Sequence, residues 1–229
     1  MLGVDGCNGG WIAASRERGV IRCRRVARLE ELFLGGAAPD VVAVDIPIGL
    51  PERGARACDV AARALLGRAR ASSVFPAPLR ALLEVDSYEE ASRLRERLER
   101  KRISKQTWMI VPKIAEVDRL LRRSAEARAA VREVHPEVCF YYLNGERSLA
   151  APKRKPAGHD ERLALLRGWC GDAADRALAD RRRLTCQADD VLDAFAALWS
   201  AERIAAGIAV VHPANPELDR QGLPMSISA

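Results

Sequence analysis

The opening third of the chain alternates short apolar runs with turn-forming residues, a pattern that predicts strands. MLGVD is apolar up to its terminal acid, and GWIAASRE, after the Asn8-Gly9-Gly10 turn, reads as its hairpin partner. VIRCRRVA after Gly19 predicts a third strand, so the first three form an antiparallel meander. RLEELFLGG predicts a short helix stopped by Gly35 and Gly36. VVAVDIPIGLP then sets four consecutive apolar residues before an acid, as in a central strand buried on both faces.

Residues 52–104 are less regular and read as a helical and loop insertion. RACDVAARALLG predicts a helix ending at Gly67, and SSVFPAP a loop set by Pro76 and Pro78. YEEASRLRERLERKR is charged nearly all round. Its interleaved acids and bases fit a solvated face with i,i+4 pairs such as Glu96 with Arg100 better than a basic rim for nucleic acid. QTWMIVPKIAEVDRLLRRS predicts a helix with a proline inside it or at its start. VREVHPEVCFYYLN reads as a strand with Pro136 at an edge or bulge. ERLALLRGWCG and ADDVLDAFAALWSAERIAAG predict two helices, the second the clearest in the chain. This order predicts one α/β domain over residues 1–229, a mixed sheet flanked by helices.

Composition narrows the class. At 229 residues, 48% hydrophobic and 30% charged, the chain can bury a full core. No apolar stretch of about 18 residues exists, which argues against a membrane span. MLGVDGCNGGW has neither a basic region nor a long apolar run, so it is expected to belong to the fold rather than to a secretory leader. Six dispersed cysteines without a C-x-x-C pair fit reduced, buried thiols and a cytoplasmic setting better than a zinc site or disulfide framework. The net charge of +6 suits a polyanionic partner, but 32 of the 37 basic residues are Arg in an Ala-rich chain, and compositional bias would give the same balance.

The acids carry the candidate chemistry. Asp5 and Asp45 each end an apolar strand, and ligands gather at the carboxyl ends of strands in open α/β sheets. If the strands are parallel neighbours, the carboxylates lie roughly one strand spacing apart, about 5 Å, and repel unless a proton or cation intervenes. Each could instead begin a turn; Ile46 after Asp45 makes that reading weaker there. Asp190 and Asp193 share a face of the last long helix, where dipole-favoured acids, with Asp189 as N-cap, are the bland explanation. Val191, Leu192, Phe195, Leu198 and Trp199 form its apolar stripe. Glu133, His135 and Glu137 alternate along the expected strand, either as its solvent side or with Glu133 joining the acids while His135 orients a phosphate or water.

Six blocks in order, GVDGCNGGWI, AVDIPIGLP, RACDVAARALLG with SSVFPAP, KQTWMIVPKIAEVD, EVHPEVCFYYLNG and DDVLDAFAALWSA, give the chain its resemblance to the family called domain of unknown function 429. That family is described as predicted nucleases of RNase H-like fold. GLPMSISA also looks like its last short strand, without the aromatic-rich ending. The resemblance implies an RNase H-like mixed sheet laid out as in RuvC-type resolvases, where acids on the first strand, fourth strand and last helix hold metal. It places Asp5, Asp45 and the Asp190–Asp193 pair in those positions, with Mg²⁺ or Mn²⁺ as cofactor and nucleic acid as partner. Glu133 and His135 have no clear counterpart.

The expectation is therefore two-metal phosphodiester hydrolysis, with Asp5 bridging the ions and Asp45 and either Asp190 or Asp193 each completing one site. Lys113, Arg63 and Ser73 are candidates to hold phosphate, or else ordinary surface groups. An actin-like phosphotransferase would need a second glycine-rich loop and domain, neither of which is seen. A non-catalytic module binding nucleic acid or protein is the other alternative. A homodimer is compatible with the class, although no interface is legible.

Overall fold

Two tight turns start the fold. Gly9, at φ +66, lets β1 (Leu2–Cys7) fold back onto β2 (Gly10–Glu17), and Gly19 does the same for β3 (Val20–Val26). The chain is described by a computed structural model covering every residue except Gly35, so the expected helix stop there lies outside the described residues. The segment before it is a single 3-10 stretch, Leu29–Phe33. β4 (Val42–Val44) then enters beside β1, parallel to it, with Val4 opposite Val44.

The insertion contains α1 (Ala57–Arg70), broken at Gly67 rather than ended there, and α2 (Tyr88–Glu99). Arg100 leaves the helix in a left-handed conformation, so Glu96 pairs with Arg102 in place of Arg100. α3 (Lys105–Arg123) carries Pro112 in its interior and is capped by Ser104, which accepts the Thr107 N–H at 3.0 Å. After α4 (Ala125–Ala130) comes β5 (Val131–Glu133), parallel to β4.

Here the structure corrects an expectation. The strand read across VREVHPEVCFYYLN ends at Glu133, and the rest is α5 (Pro136–Leu143). Pro136 begins a helix instead of marking a bulge, because a proline at the first helical position gives up only an N–H that would have had no partner. The apolar run after it misled as a strand because buried strands and buried helices share that composition.

α6 (Pro156–Cys170), α7 (Ala173–Leu184) and α8 (Ala188–Ala205) follow. The expected closing strand is β7 (Ile227–Ser228), antiparallel to β6 (Val211–His212). The main sheet has the order β3-β2-β1-β4-β5, antiparallel across the first three strands and parallel across the last three. Ile12, Ala14, Ala43 and Val134 pack under α5 to α8 on one face; Val4, Trp11, Val42 and Val44 pack under α3 on the other. The fold is an α/β layer structure with a mixed five-stranded sheet. All six cysteines are free thiols, and no helix among the described residues is long and apolar enough to cross a membrane.

α8 is buried nearly all round, beyond its expected stripe, because it lies between the sheet and α5, α6 and α7. It crosses β1 at Gly3, where a β-carbon would enter the backbone of Ala194 and Leu198. Gly3→Ala should therefore cost about 2–3 kcal/mol or more. Urea denaturation checks this: the midpoint should fall while the slope stays unchanged.

Candidate functional site

Strand alternation decides which acids meet. Gly3 and Ala43 face α8, and Asp5 and Asp45, two residues further along each strand, face the same way. The Asp45 N–H donates to the Val4 carbonyl at 2.9 Å, continuing the parallel ladder and holding Asp45 next to Asp5. From above, the second turn of α8 brings Asp193, only 2% exposed. All three carboxylates line one cleft of about 520 Å³. His135 and Glu137 enter it from the start of α5 and Lys113 from α3, while Lys153 and Arg154 come from the loop before α6. Arg70, Ser73 and the exposed Phe75 come from the end of α1 and the segment after it.

Expected acids and observed acids overlap in part. Asp190 lies beside this group but is committed to α8, where Gln187, not Asp189, is the N-cap, its N–H donating to Asp190 at 2.8 Å. Glu133 is not in the cleft. It stands opposite Val44 in register and so faces the other side of the sheet from Asp45. There its carboxylate accepts from Arg56 at 2.7 and 2.8 Å and from the Ile48 N–H at 2.6 Å. Burial alone would lower the Arg56 guanidinium, but Glu133 and Asp59 outweigh it and hold it well above its ordinary value. Glu133 is a buried structural carboxyl group committed to Arg56 and Ile48. The shared face expected for Glu133, His135 and Glu137 fails because the strand ends at Glu133, while His135 precedes α5 and Glu137 lies inside it.

The phosphate candidates divide similarly. Arg63 does not line the cleft; it donates to the Val74 carbonyl at 2.7 Å and fixes the loop that does. Ser73 lines the cleft with its hydroxyl turned onto the Arg70 carbonyl at 2.6 Å. Lys113 donates to the Gly10 carbonyl and sits 4.2 Å from the Trp11 ring centroid, and burial lowers its pKa. The His135 Nδ1 is buried and unpartnered. Lys153, Glu137 and Arg70 were missed. Only the EVHPEV block placed one of them, Glu137, near a candidate, and nothing local distinguishes Lys153 from its basic neighbours.

The acids are poorly compensated. Burial pushes Asp5 well above the usual carboxylate range, with Asp193 and Asp45 adding repulsion and Lys153 opposing it. Burial likewise lifts Asp45 to about 6, against the pull of His135 and with repulsion from Asp193. Asp190 is also raised, chiefly by burial. Lys153 Nζ lies 2.8 Å from Asp193 Oδ2, and that carboxylate holds the ammonium above its ordinary value. The oxygen donors suit Mg²⁺ or Mn²⁺. As they stand, however, no three His, Cys, Asp or Glu groups among the described residues converge as metal ligands. The cation among the acids is Lys153.

A family model described as "Protein of unknown function (DUF429)" matches residues 3–218. Comparison with curated proteins and with solved structures returns no match.

An acid whose folded pKa exceeds its unfolded value binds its proton more tightly when folded, so its contribution to stability falls as pH rises between the two values. For Asp45 that window runs from 3.8 to about 6. Asp45→Asn should raise stability at pH above this window by on the order of 2 kcal/mol, with no gain below it. Denaturation midpoints measured across the window give the test.

Proposed function

The chain belongs to the DUF429 family, and we propose that its cleft hydrolyses phosphodiester bonds of nucleic acid with a divalent metal, Mg²⁺ or Mn²⁺. The observation that carries the reading is the meeting of Asp5, Asp45 and Asp193, from distant stretches of chain, inside a ring that also contains Arg70, Lys153 and Arg154. Acids alone would repel a phosphodiester, and bases alone would bind it without chemistry. The two together can hold a metal and an anion side by side. The strand order and the senses of its pairs support an RNase H-like assignment, as does the position of the last long helix across β1.

In this reading Arg70 and Arg154 hold the phosphate, and the exposed Phe75 and Met109 at the rim offer apolar surface to a base. His135, with its unpartnered Nδ1, holds the proton of a water or hydroxyl. Asp5, Asp45 and Asp193 would hold the metal, which when bound lowers the pKa of water and neutralises phosphate charge. The free thiols support a reducing, cytoplasmic setting.

A non-catalytic nucleic-acid-binding module is the second reading. Two observations favour it: Lys153 already pairs with Asp193, and no metal cage stands formed among the described residues.

Single-stranded, duplex, hybrid and branched substrates incubated with Mn²⁺ separate the two. Cleavage of at least one is expected, abolished by EDTA and reduced about 100-fold or more in Asp5→Asn and Asp45→Asn. Binding without cleavage would select the module, and cleavage that survives both substitutions would remove the acids from the mechanism.

A further inference from the structure

We propose that Lys153 is the resident counter-ion of the cleft, standing where a divalent cation would bind, and that metal binding displaces its ammonium from Asp193. The inference rests on the metal-dependent reading above and concerns how that site is loaded.

The pair is asymmetric. Asp193 is fixed, its side chain 3% exposed within the most buried helix, whereas the Lys153 side chain is 45% exposed. One partner cannot leave and the other can swing into solvent. The backbone beneath Lys153 is anchored: Glu161 accepts the Ala150 and Ala151 N–H groups at 3.0 and 3.1 Å, and the buried Arg162 donates to the Ala151 carbonyl at 3.3 Å. Movement therefore falls to the flexible lysine stem, not to the loop.

The ammonium also does the work of a cation imperfectly. It bonds Asp193, while Asp5 and Asp45 in the same cleft have no ion-pair partner among the described residues. A single positive charge bonded to one carboxylate cannot gather three, and no three of the acids converge as ligands among the described residues. A divalent ion demands several oxygens at one point and supplies twice the charge. The site already holds a spare donor. Glu137 is 6% exposed and lines the cleft; one of its oxygens accepts from Arg162, and the other, Oε2, is buried without a partner. A buried carboxylate oxygen left unbonded is costly, and it is the group an entering cation would satisfy.

The test measures metal binding, not turnover. Mn²⁺ is titrated at neutral pH into the wild type, Lys153→Gln and Lys153→Arg, followed by the loss of the free Mn²⁺ electron-spin resonance signal. Removing the competing charge should tighten binding at least tenfold, about 1.4 kcal/mol, while Lys153→Arg should bind like the wild type. Adding Asp193→Asn to Lys153→Gln should cancel the gain. Lys153→Met serves if the glutamine variant loses its far-ultraviolet circular dichroism. Binding in the wild type that does not tighten in Lys153→Gln would overturn the displacement and leave the metal reading intact. Absence of binding to every variant at millimolar Mn²⁺ would overturn both.

Discussion

β1 and α8 touch backbone to backbone at Gly3, and the meeting of Asp5 with Asp193 descends from that contact. With no side chain at Gly3, the helix settles directly on the strand. Asp193, at the preceding turn of the helix, is thereby lowered to the level of Asp5. A larger residue would lift α8 off the sheet and carry Asp193 away from the strand ends. The parallel pairing of β1 with β4 completes the arrangement by bringing Asp45 level with Asp5.

Elsewhere the molecule treats buried acids differently. Glu133 and Asp59 share Arg56, Asp118 and Asp219 share Arg80, and Glu137 takes Arg162. Each of these arginines is itself largely buried, and the planar guanidinium can serve two oxygens at once. These pairs tie the insertion, β5 and the C-terminal segment to the sheet: Asp219, for instance, accepts the Leu50 and Leu223 N–H groups at 2.9 Å. In the cleft, by contrast, three acids share one half-exposed lysine. Under-neutralised charge gathers there, and such imbalance is common at sites that bind cations or move protons.

Sequence reasoning went wrong where the answer depended on partners rather than on pattern. Glu133 was a candidate to join Asp5 and Asp45 through its expected alternation with His135 and Glu137 along one strand. Register put it opposite Val44, so its side chain points to the opposite face of the sheet and finds Arg56, 77 residues away in sequence. Lys153 gave no signal because its loop is basic and proline-rich like any surface loop. Only the approach of that loop to α8 gives it a partner 40 residues distant. Arg63 and Ser73 were placed in the right neighbourhood, but their hydrogen bonds turn inward onto backbone carbonyls.

The sequence by itself determined the class of fold, the three-stranded meander, the central strand ending in Asp45 and the long apolar helix. It also determined the family, because apolar periodicity, turn glycines and ordered motif blocks are local signals carried by neighbouring residues. Only the tertiary structure decided which acids share a cleft, which is spent on an arginine, and that a lysine lies among them. Those outcomes depend on strand register, on side-chain alternation across the sheet and on a single close backbone approach. None of these quantities exists until distant segments pack.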